Sequence, residues 1–385
     1  MDPITHPESF IQFLTPQLGS MLHNLETFVC SESPSTEKAA ADRCARVIAE
    51  EWRKRPVQLR LVEQKHRGAH LQISYTQSKT KPRGQLLVLG HYDTVYASGT
   101  LPKMPFAVRA GKAFGPGVFD MKGGIVQALF ALDAIHHSSV ALRKKIVFLW
   151  TSDEEIGSES SRKLLETEAG RSDAVFVLEP SLGPKGLLKT ARKGVGEAEV
   201  IVQGRASHAG LAPEKGINAI HELALQIARI NEWNDLPRGI SVNAGLVSGG
   251  TRPNVIPDRA RTIFDLRALR PADMQKIDKK LRGLRPILRG SKLEVRGGFN
   301  RPPLERKYSA ELFARAKSLG EEMGLRISES TAGGGSDGNL TAALGIPTLD
   351  GLGAVGNGAH SPGEHIIIHT MPERAALLAA LLINS

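Results

Sequence analysis

A chain of 385 residues predicts two or three domains, because one domain typically takes roughly 150 residues. Hydrophobic residues make up 41% of the chain and charged residues 23%, values near globular averages that exclude disordered, coiled-coil and collagen-like proteins. The longest apolar runs, at 146–150 and 375–383, are shorter than the ~20 residues of a membrane helix, so we expect no membrane partner. The first residues match neither a secretory signal nor a transit peptide, which predicts a cytoplasmic protein.

The net charge of +10 is compatible with nucleic-acid binding, but the distribution of charge argues against it. Lys and Arg are scattered, no aromatic residues interleave with them, and aromatic residues total only 5%. We therefore expect no nucleic-acid partner and a basic surface that favours small anionic substrates. The two cysteines, Cys30 and Cys44, are too few for a disulfide framework, and we expect both to be buried or inert.

The first half of the chain alternates predicted helices and strands. In chain order these are a helix at 8–29, a helix ending near 53, strands at 57–63, 70–76 and 85–89, a helix at 124–136, a strand at 145–151, a helix from 158 and a strand at 174–178. This alternation predicts an α/β fold with a mostly parallel sheet.

A different order of elements begins near residue 194. The pattern predicts a strand at 197–203, a helix at 217–230, strands at 241–247 and 259–268, a helix at 272–284 and a strand at 292–296. This βαββαβ order is ferredoxin-like, and the α/β pattern resumes after it. We predict a catalytic domain formed by residues 1–193 and 304–385, with an inserted domain at residues 194–303.

Polar residues follow the predicted strands of the first domain, where open α/β sheets place their ligand sites. His91 and Asp93 follow the strand at 85–89, and an Asp at this spacing could orient a metal-bound imidazole. An ordinary hydrogen-bonded turn is the competing interpretation. Asp120 lies in a glycine-rich turn at 115–124 that fails the dinucleotide pattern G-x-G-x-x-G, and a carboxylate there suits a cation.

Three consecutive acids, Asp153, Glu154 and Glu155, follow the strand at 145–151. Carboxylates so close repel unless a cation or a shared proton neutralises them, so one can bind metal while its neighbour acts as a base. An acidic helix N-terminus, favoured by the helix dipole, is the alternative. Glu179 follows the strand at 174–178, and His360 lies near the C-terminus. Two histidines and three carboxylates then form a set suited to paired Zn²⁺ ions: His91, Asp120, one of the acids at 153–155, Glu179 and His360.

Eight sequence motifs carry a resemblance to a known family. They are HYDTVY, GPGVFDMKGG, TSDEEIGS, VLEPS, GRASHAG, TRPNVIPD, GGGSDG and GAHSPGE. In this order they resemble the zinc metallopeptidase superfamily of glutamate carboxypeptidase (carboxypeptidase G), aminoacylase, acetylornithine deacetylase and succinyl-diaminopimelate desuccinylase, over nearly the whole chain. TSDEEIGS, GRASHAG and GGGSDG are most similar to the glutamate carboxypeptidase branch. The resemblance implies that the inserted domain is a lid and dimerisation domain.

The resemblance also implies a role for each matching residue. Asp120 would bridge two zinc ions per subunit, with Co²⁺ as a substitute metal. His91 and Glu179 would complete one zinc site, and Glu155 and His360 the other. Asp93 would orient His91, Glu154 would be the general base, and the Asp120–Met121 peptide bond would be cis.

Further residues match family positions that contact the substrate. Most of them lie in the inserted domain or at its boundaries. His208 matches a lid histidine that reaches the active site of the partner subunit in a homodimer, although a turn histidine is the competing interpretation. Asn254, Arg267, Gly334 and Gly335 match groups that hold the substrate carboxylate or carbonyl, and Arg267 could equally be a surface arginine. Lys193 and Arg301 are further candidate anion contacts.

A rival hydrolase is also present in the sequence. Gly334 to Gly338 satisfies G-x-S-x-G, and Ser336, Asp350 and His360 follow in the chain order of an α/β-hydrolase triad. This hypothesis leaves the acids of the metal set unexplained. A metal-dependent binding protein without catalysis is disfavoured because Glu154 and His208 are both present.

The sequence therefore predicts a dinuclear zinc hydrolase that cleaves the amide bond of an N-acyl amino acid or peptide with a free C-terminal carboxylate. An N-acyl amino acid deacylase of the acetylornithine deacetylase or succinyl-diaminopimelate desuccinylase type is the alternative.

Overall fold

The structure is a computed structural model that describes residues 6–77, 82–138 and 140–385. The chain divides into two compact units. Unit 1 comprises Met1–Ala191, Arg306–Thr331 and Ser336–Ser385, and unit 2 comprises Arg192–Glu305 and Ala332–Gly335.

The helices of the described residues are α1 (Pro7–Leu14), α2 (Leu18–Cys30), α3 (Lys38–Arg53), α4 (Gly123–His137), α5 (Arg162–Gly170), α6 (Ala219–Asn231), α7 (Pro271–Arg282), α8 (Ala310–Glu322), α9 (Asp337–Ala343) and α10 (Thr370–Ile383). Both α4 and α10 are buried over most of their surface and contact each other in unit 1. Among the residues described, no helix has the length and apolar character needed to cross a membrane.

The strands are β1 (Gln58–Val62), β2 (His70–Tyr75), β3 (Gln85–His91), β4 (Ala107–Arg109), β5 (Lys112–Phe114), β6 (Lys145–Thr151), β7 (Ala174–Val177), β8 (Leu188–Arg192), β9 (Gly194–Gln203), β10 (Ser207–His208), β11 (Ser241–Gly249), β12 (Val255–Ile256), β13 (Arg259–Ala268), β14 (Lys292–Arg301), β15 (Glu329–Ala332), β16 (Thr348–Leu349), β17 (Gly356–Asn357) and β18 (His365–Ile367).

Two local predictions were wrong. The helix predicted at 8–29 is interrupted by the 3₁₀ turn Thr15–Gln17, because Pro16 has no N–H to donate and its ring opposes a continuous helix. The helix predicted from 158 begins only at Arg162, because the acids before it form a separate turn that ends at Gly157 with φ of 101°. Cys44 is buried and Cys30 is exposed, and both are free thiols; partial burial raises the pKa of the Cys30 thiol.

The central sheet of unit 1 has six strands in the order β1-β2-β6-β3-β7-β16. Neighbours from β6 to β16 run parallel, whereas β2 pairs antiparallel with both β1 and β6. This confirms an α/β fold with a mostly parallel sheet. All seven residues of β3 are buried, as expected for a parallel strand covered on both faces.

The register of the parallel strands brings their carboxyl ends to one edge. His91, the last residue of β3, pairs with Thr151 at the end of β6, and Leu89 pairs with Val177 at the end of β7. The residues that follow β6 and β7 therefore emerge beside His91. These are the acids of the 153–155 turn and Glu179.

Unit 2 contains a four-stranded antiparallel sheet in the order β11-β13-β9-β14. Its long strands and helices follow one another as β9, α6, β11, β13, α7 and β14. Alternate residues of β13 are buried and join α6 and α7 in a separate apolar core. The edge strand β11 leaves Leu246 and Val247 more than half exposed, at 65% and 63%.

Candidate metal centre

Five side chains of unit 1 converge at the carboxyl edge of the central sheet. They form two sets of three potential metal ligands, in each of which the ligand atoms lie within 4.8 Å of one another. One set contains His91, Asp120 and Glu179, and the other contains Asp120, Glu155 and His360. Asp120 therefore belongs to both sets, and all five residues selected from the sequence meet at this centre.

The two oxygens of Asp120 lie beside different histidines. Asp120 Oδ1 lies 3.2 Å from His91 Nε2, which is also 3.5 Å from Glu179 Oε1. Asp120 Oδ2 lies 3.5 Å from His360 Nε2, which is also 3.1 Å from Glu155 Oε1. One carboxylate thus faces two separate groups of nitrogen and oxygen donors.

The spacing of these donors fits a metal ion, although His360 Nε2 and Glu155 Oε1 also lie within hydrogen-bond distance of each other. Asp120 Oδ1 is buried and accepts no hydrogen bond within the described residues, although His91 Nε2 is near. Zinc bonds of about 2.0–2.2 Å in tetrahedral geometry separate neighbouring ligand atoms by about 3.3–3.6 Å. The four distances, from 3.1 to 3.5 Å, are close to that spacing.

Buried Asp93 connects His91 to the acidic turn. His91 Nδ1 lies 3.1 Å from the backbone carbonyl of Asp93 and 3.5 Å from its Oδ1. The same carboxylate accepts the backbone N–H groups of Glu154 and Glu155, at 3.2 Å each, and the Ser35 hydroxyl at 2.7 Å. Asp93 therefore fixes both the imidazole and the turn, and only the first of these contacts was expected from sequence.

The charges of the centre balance each other. Burial acts to raise the pKa of Asp120, but His360 and His91 outweigh it and hold that pKa far below its usual range. Asp120 and Glu155 raise the pKa of His360 to about 10, whereas burial raises the pKa of Glu155 despite its contact with His360. The cluster thus favours positive charge among its carboxylates, which either a proton or a metal ion can supply, and the two compete.

Burial differs between the two ligand sets. The side chain of His91 is 2% exposed, whereas that of His360 is 48% exposed. His360 also has φ of 60°, a left-handed conformation that is uncommon for residues with a side chain. Within unit 1, solvent therefore reaches the centre from the side of His360.

Glu154 is half-buried beside Glu155, and its backbone position is fixed by the N–H contact to Asp93. Within the described residues it belongs to neither ligand set. The peptide bond between Asp120 and Met121 is cis, as expected.

Lys189 is a neighbour of the centre that sequence reasoning missed. It lies on β8 of unit 1, and its Nζ is 3.9 Å from Glu179 Oε2. The side chain is 9% exposed, which is unusual for a lysine. Its positive charge also acts to lower the pKa of Asp120. The pattern of residues along β8 does not single out Lys189, because the acid that it approaches, Glu179, follows a different strand, β7.

The three candidate substrate residues of the unit 2 sheet region have local partners. His208 is exposed, and its Nδ1 accepts the backbone N–H groups of Gly210 and Leu211 at 3.1 Å each. Arg267 donates three hydrogen bonds to the carboxylate of Asp265. Asn254 is exposed, and its backbone carbonyl accepts the N–H of Ala209.

The remaining candidates lie at the ends of unit 2. The carbonyl groups of Gly334 and Gly335 each accept a hydrogen bond of 3.1 Å from Arg192 Nη1. Arg192 is buried, and it was not singled out from the sequence. Arg301, at the end of β14, is also buried, and the backbone N–H of Lys193 donates to Ala332.

The serine-hydrolase hypothesis is wrong. Ser336 is fully buried as the N-cap of α9, where its hydroxyl donates to Asp350 Oδ2 at 2.6 Å and accepts the Gly338 N–H. His360, the expected base, instead contacts Glu155 and Asp120. The G-x-S-x-G pattern here is a helix cap, a role that Ser fills often.

Histidines and carboxylates converging at the strand ends of a parallel sheet define a candidate metal-dependent hydrolase. Comparison with known proteins identifies its family. Residues 87–384 match the model of peptidase family M20/M25/M40. The chain belongs to this family of metal-dependent peptidases and amidohydrolases, and it is a hydrolytic enzyme.

Three relatives illustrate the range of similarity. Carboxypeptidase G2 of Pseudomonas sp. (strain RS-16) is 34% identical over 80% of this chain and 75% of its own length. Succinyl-diaminopimelate desuccinylase of Dechloromonas aromatica is 28% identical over 76% of this chain and 81% of its own. The structure of an M20 family metallo-carboxypeptidase from Sulfolobus solfataricus matches with a TM-score of 0.73 at 18% identity, covering 95% of this chain and 98% of that one. These similarities confirm the family resemblance and the fold.

Proposed function

We propose that the protein is a dinuclear zinc hydrolase that cleaves the amide bond of an N-acyl amino acid or peptide with a free C-terminal carboxylate. The observation that carries the proposal is the position of Asp120, whose two oxygens face His91 and His360. In the proposed assignment His91, Asp120 and Glu179 hold one ion, and Asp120, Glu155 and His360 hold the other. Similarity to carboxypeptidase G2 supports the carboxypeptidase-like choice.

Zinc at such ligands supplies Lewis acidity and acidifies a bound water. The chain's own residues position and move protons around it. Asp93 keeps the His91 ring in place from its Nδ1 side, so that Nε2 faces the ligand set. Glu154, fixed through its backbone, takes a proton from the attacking water and delivers it to the leaving amine. The products are a carboxylic acid and an amine.

The deacylase alternative rests on the similarity to succinyl-diaminopimelate desuccinylase. Both classes hydrolyse the same kind of bond, and they differ in which side of the bond is recognised. A carboxypeptidase-like enzyme selects the C-terminal amino acid, whereas a deacylase selects the acyl group.

A matched substrate panel tests the proposal. Protein reconstituted with Zn²⁺ or Co²⁺ is assayed on N-acyl amino acids and dipeptides whose C-terminal residue, including glutamate, is varied at constant acyl group. Each substrate is paired with its C-terminal amide as a control. We expect cleavage to require the free carboxylate and the metal. Activity that follows the acyl group alone supports the deacylase, and full activity of chelated, metal-free protein contradicts both.

We further propose that residues 194–303 form a lid and dimerisation domain inserted in the catalytic domain. The edge strand β11 supports this, because an exposed strand edge with apolar side chains can pair with a second copy. His208 then serves the metal centre of the partner subunit by stabilising the oxyanion. Arg267, Asn254 and the backbone of Gly334 and Gly335 are proposed to bind the substrate carboxylate or carbonyl.

Subunit complementation tests the shared site. His208→Ala and Glu154→Gln are each expected to be nearly inactive as homodimers. In a mixed dimer one site carries both defects and the other carries neither, so random co-assembly should restore about a quarter of wild-type activity. No recovery in isolated mixed dimers would place the action of His208 within its own chain or make it structural.

A further inference from the structure

Glu364 is a buried acid close to the metal centre that has no role in the proposed hydrolysis. It lies four positions after His360 in the motif GAHSPGE and is fully buried. Its Oε1 accepts the backbone N–H groups of Phe119 at 2.8 Å and Asp120 at 3.0 Å. Its Oε2 accepts the N–H of Gly117 at 3.1 Å and the hydroxyl of Tyr96 at 2.7 Å.

These contacts make Glu364 the support of the turn that carries Asp120. Three of the four donors are backbone groups of that turn, including the N–H of Asp120 itself. Hydrogen bonds to a buried carboxylate are stronger than those between neutral groups. Because both oxygens accept two donors each, the turn and the carboxylate fix each other's position.

Glu364 also belongs to the turn that carries His360. Its backbone N–H donates to the Ser361 carbonyl at 3.1 Å, and the Tyr96 hydroxyl, whose single proton is shared, lies 3.0 Å from that carbonyl and 2.7 Å from Glu364 Oε2. Glu364 and Tyr96 therefore tie the His360 turn to the Asp120 turn. The pairing of β18 with β5 joins the same two segments through the backbone, and Glu364 and Tyr96 add the side-chain contacts at the turns themselves.

The other ligand set has a different support. His91 and Glu179 are placed by β3 and β7, whose pairing fixes the two strand ends. Asp93 additionally contacts the His91 ring. Neither residue contacts Glu364, so the first set depends on it only through the shared Asp120, whereas the second set depends on it at both Asp120 and the His360 turn.

We propose that Glu364, together with Tyr96, is a positioning residue for the Asp120–His360 half of the metal centre, and that its loss weakens the Asp120–Glu155–His360 site more than the other. This inference rests on the proposed dinuclear function. Tyr96 and Glu364 are among the residues of HYDTVY and GAHSPGE to which the ligand and base assignments give no role.

The test replaces Glu364 by Gln in the full chain. The amide keeps the shape but offers one acceptor oxygen, so its NH₂ group opposes two of the four donors. After removal of metal, Zn²⁺ is titrated by competition with a chromophoric chelator, and Co²⁺ is titrated by its visible absorption. For Glu364→Gln we expect the Asp120–Glu155–His360 site to weaken by roughly 10–100-fold, the range for loss of a ligand's supporting partner, and the His91–Asp120–Glu179 site, which shares only Asp120 with it, to weaken by a clearly smaller factor. The metal content after dialysis should fall from two ions per subunit to one.

Tyr96→Phe and Glu168→Gln complete the experiment. Tyr96→Phe removes a single donor and should weaken the same site by a smaller factor, so it remains informative should Glu364→Gln fail to fold. Glu168 is another buried acid of unit 1, on α5, where it accepts from Gln85 and Arg171. Glu168→Gln should lower the melting temperature of the metal-free protein without changing either Kd.

The outcomes separate the inference from the function on which it rests. Two unchanged sites in Glu364→Gln or Tyr96→Phe would overturn the positioning role and leave the dinuclear proposal intact. Equal weakening of both sites would show a general structural role and would also overturn it. A wild-type protein that binds fewer than two ions would instead contradict the dinuclear function.

Discussion

Replacement of Asp93 by Asn should lower the affinity of the centre for metal without creating a cavity. The carboxylate accepts three hydrogen bonds, from Ser35 and from the N–H groups of Glu154 and Glu155, and lies 3.5 Å from His91 Nδ1. Asn keeps the volume but replaces one acceptor by an NH₂ group. Whichever way the amide lies, an NH₂ group then opposes at least one backbone N–H of the acidic turn.

The contacts set the expected magnitudes. Loss of one hydrogen bond to a buried charged group costs about 1.5–3 kcal/mol of the free energy of unfolding. The Glu155 turn loses a carboxylate acceptor, and the His91 ring loses the nearby negative charge while it keeps the Asp93 backbone carbonyl. Zinc affinity should therefore fall roughly 10–100-fold, or about 1.4–2.7 kcal/mol. Both metal positions should be affected, because His91 belongs to one ligand set and Glu155 to the other.

Two measurements check this prediction. Urea unfolding in the presence of a chelator gives the free energy of unfolding of the metal-free protein, and chelator competition gives the zinc affinity. Ser35→Ala is the control, because it removes one donor to Asp93 and keeps the charge. Unchanged zinc affinity in a folded Asp93→Asn protein would refute the reasoning.

Three further variants address the base, the rejected nucleophile and the stability of unit 2. Glu154→Gln should keep two zinc ions and lose roughly 10²–10⁴ of kcat, the range for a general base; loss of an ion would make it a ligand. Ser336→Ala should lose about 0.5–2 kcal/mol of stability as a helix cap but retain kcat, and a large fall in kcat per folded enzyme would contradict the cap assignment. In unit 2, burial acts to raise the pKa of Glu222, but hydrogen bonds from Gln226 and from the loop after α7 outweigh it and lower the pKa below its usual range. Its stabilisation is therefore present above the ordinary glutamate pKa of about 4.3 and lost as pH falls through the lowered value. Glu222→Gln should lower the free energy of unfolding by about 1.5–3 kcal/mol at pH 7 and by less in acid. The control Glu232→Gln, at an exposed position, should change the free energy of unfolding little. Urea midpoints measured between pH 7 and acid pH test both expectations.

Much of the candidate centre could be predicted because its ligands follow strands with a clear apolar pattern. The run at 85–89 is buried on both faces, and the polar residues after it could only lie at the sheet edge. Once the strands at 145–151 and 174–178 were placed beside it, Glu155 and Glu179 had to approach His91. No single motif shows that these ligands lie together; the parallel register of the strands does, because it brings their carboxyl ends side by side.

The supporting contacts could not be predicted, because they join distant parts of the chain through side chains. Glu364 contacts residues more than two hundred positions earlier, and Lys189 approaches Glu179 from another strand. Periodicity carries no information on such pairs. Pro16 is a local signal for the break between α1 and α2. The apolar pattern continues on both sides of it, however, and therefore predicted one continuous helix.

The ligands of the candidate centre are unevenly distributed along the chain, which affects how it can assemble. His91, Asp120 and Glu179 all lie in the first half of the 385 residues. His360 and its neighbour Glu364 lie in the second half, so the second ligand set is complete only after these residues have been synthesised. During translation the first set is present long before the second. A chain shortened by a few dozen residues at its C-terminus would keep one complete set and lose the other.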